Sequence, residues 1–237
     1  RLDPERLGDE IDDLIRCQEQ PFTTTSVWAQ SHVYKAAHAA GFKIVIDGQG
    51  ADEALAGYHV FRAARIEGLI RRGRLREARA LVAALPSQRG NVLIQAAGGL
   101  LPESARGYFR RAVGKPVIPE WLDGAWFGAA AVEHRPVMEA AHSPLATALR
   151  DAVGGSSLPM LLRYADRNAM AVSVENRVPF LTAELVDFAM SLPDELLIGN
   201  DGTMKQVLRD ALRGIVPDVI LDRRDKIGFE TPEALWF

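Results

Sequence analysis

One short run, residues 43–47, constrains the fold of this chain more than any other stretch. It reads KIVID, with three β-branched residues in succession and no polar alternation. Such a run is typical of a strand buried on both faces, as in a parallel sheet. The preceding residues 23–41 combine Thr and Ser caps, spaced apolar residues and a final Gly41, which predicts a helix. A helix leading into a buried strand predicts an α/β fold.

Most of the remaining chain is predicted to be helical. Residues 51–85 are rich in strong helix formers, with breaks at Gly57, Gly68 and Gly73. Residues 86–157 contain frequent Gly, Pro and Ser clusters, which predict short helices joined by loops. The expected class is therefore a helix-dominated α/β protein.

The last third of the chain carries two further predicted helices. One follows Thr182 as its cap and places Leu185 and Phe188 on one face. The other spans residues 202–214, with apolar residues at helical spacing and a closing glycine: Met204, Val207, Leu208, Ala211, Leu212 and Gly214. On its polar face, Lys205 and Arg209 lie one turn apart, and both are interpreted as solvated, with contact of Lys205 with a ligand as the alternative.

Composition excludes several classes of function. The formal net charge of -3 over 237 residues provides no basic excess, so nucleic acid is not an expected partner. Cys17 is the only cysteine, which excludes an internal disulfide and fits a reducing compartment, so a cytoplasmic location is expected. The sequence contains neither a run of about 18 apolar residues nor an N-terminal signal peptide, so no membrane association is predicted.

The residues after the predicted strand are the best candidates for chemistry. They read DGQGADE, residues 47–53, and two physical interpretations remain open. Glycines let the backbone approach a phosphate, and Asp52 could hold Mg²⁺ bound to a polyphosphate at the carboxyl edge of the sheet. Alternatively, Asp52 and Glu53 only favour the positive end of a helix. Residues 62–79 are rich in arginine and predict either a solvated basic face or a binding patch.

Three blocks in a fixed order extend this interpretation: DGQGADEALAGY at 47–58, RYADRNAMAVSVENRVPFL at 163–181 and RRDKIGFETP at 223–232. Together they resemble the C-terminal synthetase domain of the glutamine-hydrolysing asparagine synthetase family. That family carries an SGxGxDE-type loop ending in GGY, then D-R-x-x-M and E-x-R-x-P-F-L-D, then R-x-K-x-G-F. The resemblance implies an adenine-nucleotide α-hydrolase-like parallel sheet with a helical C-terminal part.

The resemblance also implies a division of the chain and a reaction. Residues 1–237 are one truncated synthetase domain, with a nucleotide-site portion at 21–62. A mostly helical region follows at 63–157, and a helical portion with acceptor-site motifs at 158–237. Members of the family use ATP and Mg²⁺ to adenylate a carboxylate, and ammonia derived from glutamine then forms the amide. For this chain, aspartate is the expected carboxylate.

Site residues follow from the same resemblance. Asp47, Gly48 and Gly50 are expected to lie against ATP, and Asp52 is expected to bind Mg²⁺.

The acceptor part of the site draws on three other positions. Lys226 is expected to neutralise developing negative charge, and Glu175 to position or deprotonate the amine. Arg177, with Gln49, is assigned to the acceptor substrate. An ion pair of Glu175 with Arg177 or Arg167, buried in the protein, is the alternative interpretation.

Other charged residues of these motifs are given structural roles. Glu53 is interpreted as structural, and Arg163, Asp166 and Arg167 are interpreted as a charged network beneath the site.

The sequence also departs from the family pattern. An SGGxDS phosphate loop and the glutaminase domain with its terminal cysteine are absent from these residues, which do not begin with methionine. We therefore expect a piece of a longer protein that cannot form an acyl-adenylate alone. Gln49 replaces the usual Glu, which leaves the acceptor open, and Thr182 replaces the Asp of P-F-L-D.

Three hypotheses for the function consequently stay open: an asparagine synthetase-like ligase, an amidotransferase for a sugar acid, peptide or β-lactam precursor, and a noncatalytic interaction domain. For the oligomeric state, a homodimer is also left open.

Overall fold

A computed structural model describes residues 3–85, 89–114, 122–130, 141–224 and 231–236. In these residues, helices make up most of the secondary structure, and a single pair of parallel strands makes up the sheet. The predicted helix-dominated α/β class is therefore confirmed.

The helices and strands follow one another in chain order. They are α1 Glu5–Gln18, α2 Ser26–Ala39, β1 Ile44–Ile46, α3 Ala51–Ala54, α4 Val60–Arg71, α5 Leu75–Ala83, α6 Arg89–Leu100, α7 Glu103–Ala112, α8 Gly124–Ala129, α9 Pro144–Gly154, α10 Ser157–Met170, β2 Glu175–Arg177, a 3-10 helix Pro179–Leu181, α11 Ala183–Ser191, α12 Asp194–Leu197, α13 Gln206–Ala211, α14 Asp218–Leu221 and α15 Glu233–Trp236.

The sheet pairs β1 with β2 in parallel, so that Ile44, Val45 and Ile46 lie opposite Glu175, Asn176 and Arg177. One face is covered by α2 and α10, where Val45 packs against a buried cluster of Tyr34, Ala169 and Val174. Ile44 and Ile46 point to the other face and are 44% and 76% exposed. The prediction that this strand is buried on both faces is therefore wrong for the described residues, because helices cover only one side.

Two apolar clusters share α4 as their common wall. On one side, Phe61 packs with α3, α9 and α11, around Leu145 and Leu149. On the other, Ile66 and Leu69 pack against α5 and α6. Helix α4 therefore lies between the two clusters, and one of them includes α3, which follows the DGQG loop directly.

Arg62 and Arg65 of α4 are not solvated, which corrects one interpretation of the arginine-rich segment, whereas Arg71 of the same helix is exposed and pairs with Glu67 at 2.8 Å. Arg62 is buried and its Nε donates to the carbonyl of Gly202 at 3.0 Å, while Nη2 of buried Arg65 donates to Asn200 Oδ1 at 2.9 Å. Burial lowers the pKa of both guanidinium groups. Side chains at the far end of the segment, such as Arg74 with Glu77, do form ion pairs at the surface.

Glu10 of α1 joins the first two helices through polar contacts. Its carboxylate accepts from Trp28 Nε1 at 3.0 Å and from Lys35 Nζ at 3.1 Å, and lies 2.8 Å from His32 Nε2. Burial of the carboxyl raises its pKa, but these hydrogen bonds and the two nearby cations outweigh burial and lower the pKa of Glu10 to about 2.

Of the two helices predicted in the last third of the chain, one begins where expected and the other begins later. Helix α11 begins after Thr182 as expected, although the Thr182 side chain makes no capping hydrogen bond, and Phe188 is exposed. Helix α13 begins only at Gln206, because Met204 forms an isolated antiparallel bridge with Ile198. The chain therefore reaches Lys205 in an irregular loop rather than in a helix.

Candidate functional site

The site begins where β1 ends, at Asp47. Its backbone N–H donates to the carbonyl of Arg177 at 2.8 Å, which extends the strand pairing by one residue. The Asp47 carboxylate lies on the covered face, 3.4 Å from Asn176 Nδ2 and 3.5 Å from the Tyr34 hydroxyl. Burial, together with this carboxylate, raises the pKa of Tyr34. The Oδ1 atom of Asn176 is buried and has no hydrogen-bond partner in the part of the chain that the structure describes.

The two glycines of the loop differ in what surrounds them. Gly50 has a φ of +89°, and a Cβ added there would lie 2.5 Å from Leu181 Cγ, so both backbone and packing require glycine. A Cβ added to Gly48 would meet nothing within 4 Å, so this part of the loop is open to a ligand. Gln49, between them, is half-buried.

The paired acids after the loop have separate environments. Glu53 is 1% exposed and accepts a hydrogen bond from the Tyr58 hydroxyl at 2.6 Å. Burial and this bond raise the pKa of Tyr58. The Asp52 side chain is 27% exposed, and its Oδ1 lies 2.7 Å from Lys205 Nζ. Glu53 is thus held inside the protein, while Asp52 is accessible and beside a cation.

The turn after α3 has the geometry of a Schellman motif. Ala56 adopts a left-handed φ of 57°, and the N–H of Gly57 donates to the carbonyl of Asp52 at 2.8 Å. The chain therefore turns back so that Gly57 lies against the Asp52 side chain.

From the sequence, Lys205 is interpreted as solvated, or alternatively as touching a ligand, and neither interpretation includes its ion pair with Asp52. Its backbone is left-handed, with φ 54°, directly before α13. The preceding loop is anchored to α4 by the Arg62 and Arg65 contacts with Gly202 and Asn200. No local pattern identifies such a contact, because it depends on the conformation of the loop before Lys205, which is distant from Asp52 in the sequence.

Glu175 and Arg177 lie on the uncovered face of the sheet. Arg177 Nε donates to Glu175 Oε1 at 2.7 Å. The Arg177 side chain is 60% exposed and the Glu175 side chain is 57% exposed. The hydrogen bond from Arg177 to Glu175 raises the pKa of Arg177. The alternative ion pair of Glu175 with Arg177 is therefore present, but its predicted burial is wrong because the pair faces solvent. Arg167 pairs instead with Glu19 at 2.6 Å.

The prediction of a charged network beneath the site is wrong for Arg163 and Arg167. Arg163 donates to the carbonyl of Gln18 at 2.8 Å, and Arg167 reaches Glu19, so both fasten α10 to the end of α1. The structure thus brings Asp47, Asn176 and Arg177 together at the carboxyl end of the strands, with Asp52 and Lys205 beyond the loop. Lys226 lies outside the described residues.

The donor set fits Mg²⁺ held together with a phosphate. No group of three or more His, Cys, Asp or Glu side chains that could hold a metal occurs among the described residues. Mg²⁺ usually binds one or two carboxylates and completes its shell with water and substrate phosphates. The accessible Asp52 carboxylate meets that requirement, and Lys205 supplies a second positive charge for a polyanion.

Among the residues that the structure describes, no helix has both the length and the apolar character needed to cross a bilayer.

Comparisons with known proteins agree on one family. A family model described as Asparagine synthase matches residues 1–237. Asparagine synthetase [glutamine-hydrolyzing] 1 of Bacillus subtilis is 47% identical over 76 residues, which cover 32% of this chain and 12% of that protein. A putative asparagine synthetase [glutamine-hydrolyzing] of Mycobacterium tuberculosis strain H37Rv is 32% identical over 208 residues, covering 82% of this chain and 30% of that protein.

A third relative carries a different name. Amidase chyE of Penicillium rubens is 36% identical over 63 residues, covering 27% of this chain and 9% of that protein. This chain therefore spans less than a third of the length of each of these relatives. No solved structure matches.

Proposed function

The chain belongs to the asparagine synthase family, and on that premise we propose that it forms the adenylation and amidation part of an ATP-dependent ligase. In the proposed reaction, a carboxylate oxygen of the acceptor attacks the α-phosphorus of ATP and pyrophosphate leaves. Ammonia derived from glutamine then attacks the activated carbonyl carbon, and AMP leaves as the amide forms. The observation that carries this proposal is the accessible Asp52 carboxylate beside Lys205 at the end of the glycine loop.

The residues at the end of β1 are assigned to the nucleotide. Asp47, Gly48 and Gly50 would line the ATP site, since Gly48 is open to ligand and the buried Asn176 Oδ1 can accept from a donor. Asp52 would bind Mg²⁺ through a carboxylate oxygen. When bound, Mg²⁺ neutralises the charge that develops on the departing pyrophosphate.

The acceptor side of the site involves the other strand. Glu175 would orient the attacking amine or take its proton, and its exposure leaves it accessible to substrate. Arg177, on the same face, would bind the acceptor carboxylate. Lys226 is assigned to stabilising negative charge on the transferring phosphate and on the tetrahedral intermediate.

The identity of the acceptor depends on Gln49. Aspartate is the proposed acceptor, in keeping with the names of the relatives. A neutral amide at position 49 can neither act as a base nor bind an ammonium group as an ion. This favours a second candidate for the acceptor, namely another carboxylate such as a sugar acid, peptide or β-lactam precursor. Product analysis with glutamine, ATP and each acid distinguishes these acceptors.

The source of the ammonia and the cellular location of the reaction are also proposals. A glutaminase domain would deliver ammonia within a longer polypeptide, and the single cysteine of the sequence suits the cytoplasm. Because this sequence lacks an SGGxDS loop, we expect the 237 residues alone to show no ATP–pyrophosphate exchange, and robust exchange by them would contradict this expectation.

A binding experiment on this chain tests the nucleotide assignment directly. Mg²⁺ with pyrophosphate, and Mg²⁺ with ATP, are titrated calorimetrically into the chain and into D52N. We expect D52N to lose about tenfold in affinity, equivalent to roughly 1.4 kcal/mol. The control D12N removes an exposed acid on α1 and should bind like the parent chain. Equal binding by D52N would exclude Asp52 as the ligand, and no binding by any form would contradict the proposed function of this chain.

A further inference from the structure

Gly57 is a glycine whose backbone does not require one. Its φ is not among the positive values found at other described glycines, such as Gly50 and Gly202. A left-handed backbone, the usual conformational reason for glycine, therefore does not account for Gly57. The reason for glycine at position 57 therefore lies in the space around it.

That space is occupied by the Asp52–Lys205 ion pair. A Cβ added at Gly57 would lie 2.7 Å from Asp52 Cγ, and it would overlap Asp52 Oδ1 and Lys205 Cε still more closely. Real Cβ atoms do not approach other heavy atoms to such distances. Only a residue without a side chain lets both charged groups occupy this position.

The backbones on both sides of the pair are fixed. Gly57 itself donates to the carbonyl of Asp52 through the turn described above. The loop before Lys205 is held by the buried guanidinium of Arg62, which binds the carbonyl of Gly202. A methyl group at position 57 would therefore be accommodated by the ends of the two side chains, which can swing apart, rather than by movement of the main chain.

We infer that Gly57 is a positioning residue, whose missing side chain lets Lys205 contact Asp52 and thereby orients the Asp52 carboxylate for a divalent cation with a polyphosphate. The ligand named in this inference rests on the proposed function. The contact between the two side chains does not depend on it.

A double-mutant cycle on the full chain measures the contact itself. D52N, K205M and the double variant are unfolded in urea, first in the parent sequence and then together with G57A. We expect the Asp52–Lys205 coupling to change the unfolding equilibrium constant about two- to fivefold in the parent, as for a partly exposed ion pair. In the G57A background the coupling should vanish. Coupling retained in G57A, or absent from the parent, would overturn the inference.

A matched glycine controls for the general effect of an added methyl group. Gly8 also lies outside the positive-φ set, and a Cβ there would meet nothing within 4 Å. G8A should therefore leave the Asp52–Lys205 coupling unchanged, and a loss of coupling in G8A as well would refute a specific role for Gly57.

Binding of Mg²⁺ with pyrophosphate then connects the contact to the ligand. We expect G57A to weaken this binding about tenfold, as measured by calorimetry, and G8A to leave it unchanged. Parent-like binding by G57A, with the coupling lost, would refute the orienting role. If the parent chain does not bind but the coupling pattern holds, the proposed function fails while the positioning of Lys205 by Gly57 stands.

Discussion

Replacing Tyr58 with phenylalanine tests how strongly the interior holds the helix that carries Asp52. The hydroxyl of Tyr58 donates at 2.6 Å to Glu53, which is 1% exposed, so water cannot replace the lost donor. Hydrogen bonds to charged groups contribute about 1.5–3 kcal/mol when the partner would otherwise be left unsatisfied. Because Y58F keeps the aromatic ring, we expect the free energy of unfolding to fall by about 2 kcal/mol from this bond alone.

Urea unfolding and calorimetry measure this loss. In a chain of this size, each kcal/mol shifts the melting temperature by about 2–4 °C, so Y58F should melt about 4–8 °C lower. The urea midpoint should fall without a change in slope. Y108F is the matched control, since Tyr108 is 79% exposed, and its free energy of unfolding should stay within about 0.5 kcal/mol of the parent.

The pairing with Glu53 can be separated from a general effect of the hydroxyl. If the hydrogen bond carries the energy, E53Q and Y58F should be non-additive in the double variant by about 1 kcal/mol or more. Equal stability of Y58F and Y108F, or full additivity with E53Q, would refute the reasoning that a buried carboxylate anchors this helix.

Three further predictions concern stability. S143A should lower the free energy of unfolding by about 2–3 kcal/mol in urea, because Ser143 Oγ caps α9 at 3.0 Å from the Ala146 nitrogen and donates to buried Asp194 at 2.7 Å. Since the pKa of Glu10 is lowered to about 2, its contribution of about 3 kcal/mol to the free energy of unfolding is complete above pH 4.5 and is lost as the pH falls toward 2. The difference in the free energy of unfolding between the parent and E10Q should therefore shrink over that range. A constant difference would contradict this prediction. G50A should lose at least about 2 kcal/mol through its left-handed backbone and contact with Leu181, whereas G48A should lose less than about 0.5 kcal/mol; equal losses in thermal unfolding would refute this difference.

Elements governed by local spacing could be predicted from the sequence. Helix α2 and strand β1 lie where the spaced apolar residues, Gly41 and the β-branched run place them, because each depends on residues within a few positions. The burial of β1 could not be predicted, since it depends on how many layers pack over the strand. The same pattern of three apolar residues is found here with Ile46 largely exposed.

Charged residues explain the other differences between prediction and structure. Arginines are normally placed at the surface, yet Arg62 and Arg65 are buried because acceptors on the loop at Asn200 and Gly202 meet them. Lys205 follows the helical spacing of its neighbours, but the bridge formed by Met204 removes it from the helix. The two arginine contacts join residues 140 and 135 positions apart, so no local pattern encodes them.

The uncovered side of the two-stranded sheet has a consequence for handling the protein. In the described residues β1 has one hydrogen-bonded neighbour, and Phe42, Ile44 and Ile46 on and beside it are exposed. An open strand edge with apolar side chains is a template for aggregation. We expect the chain to precipitate through this edge as its concentration rises. A lysine at position 46 should keep it in solution at higher concentration without altering the Asp52–Lys205 contact.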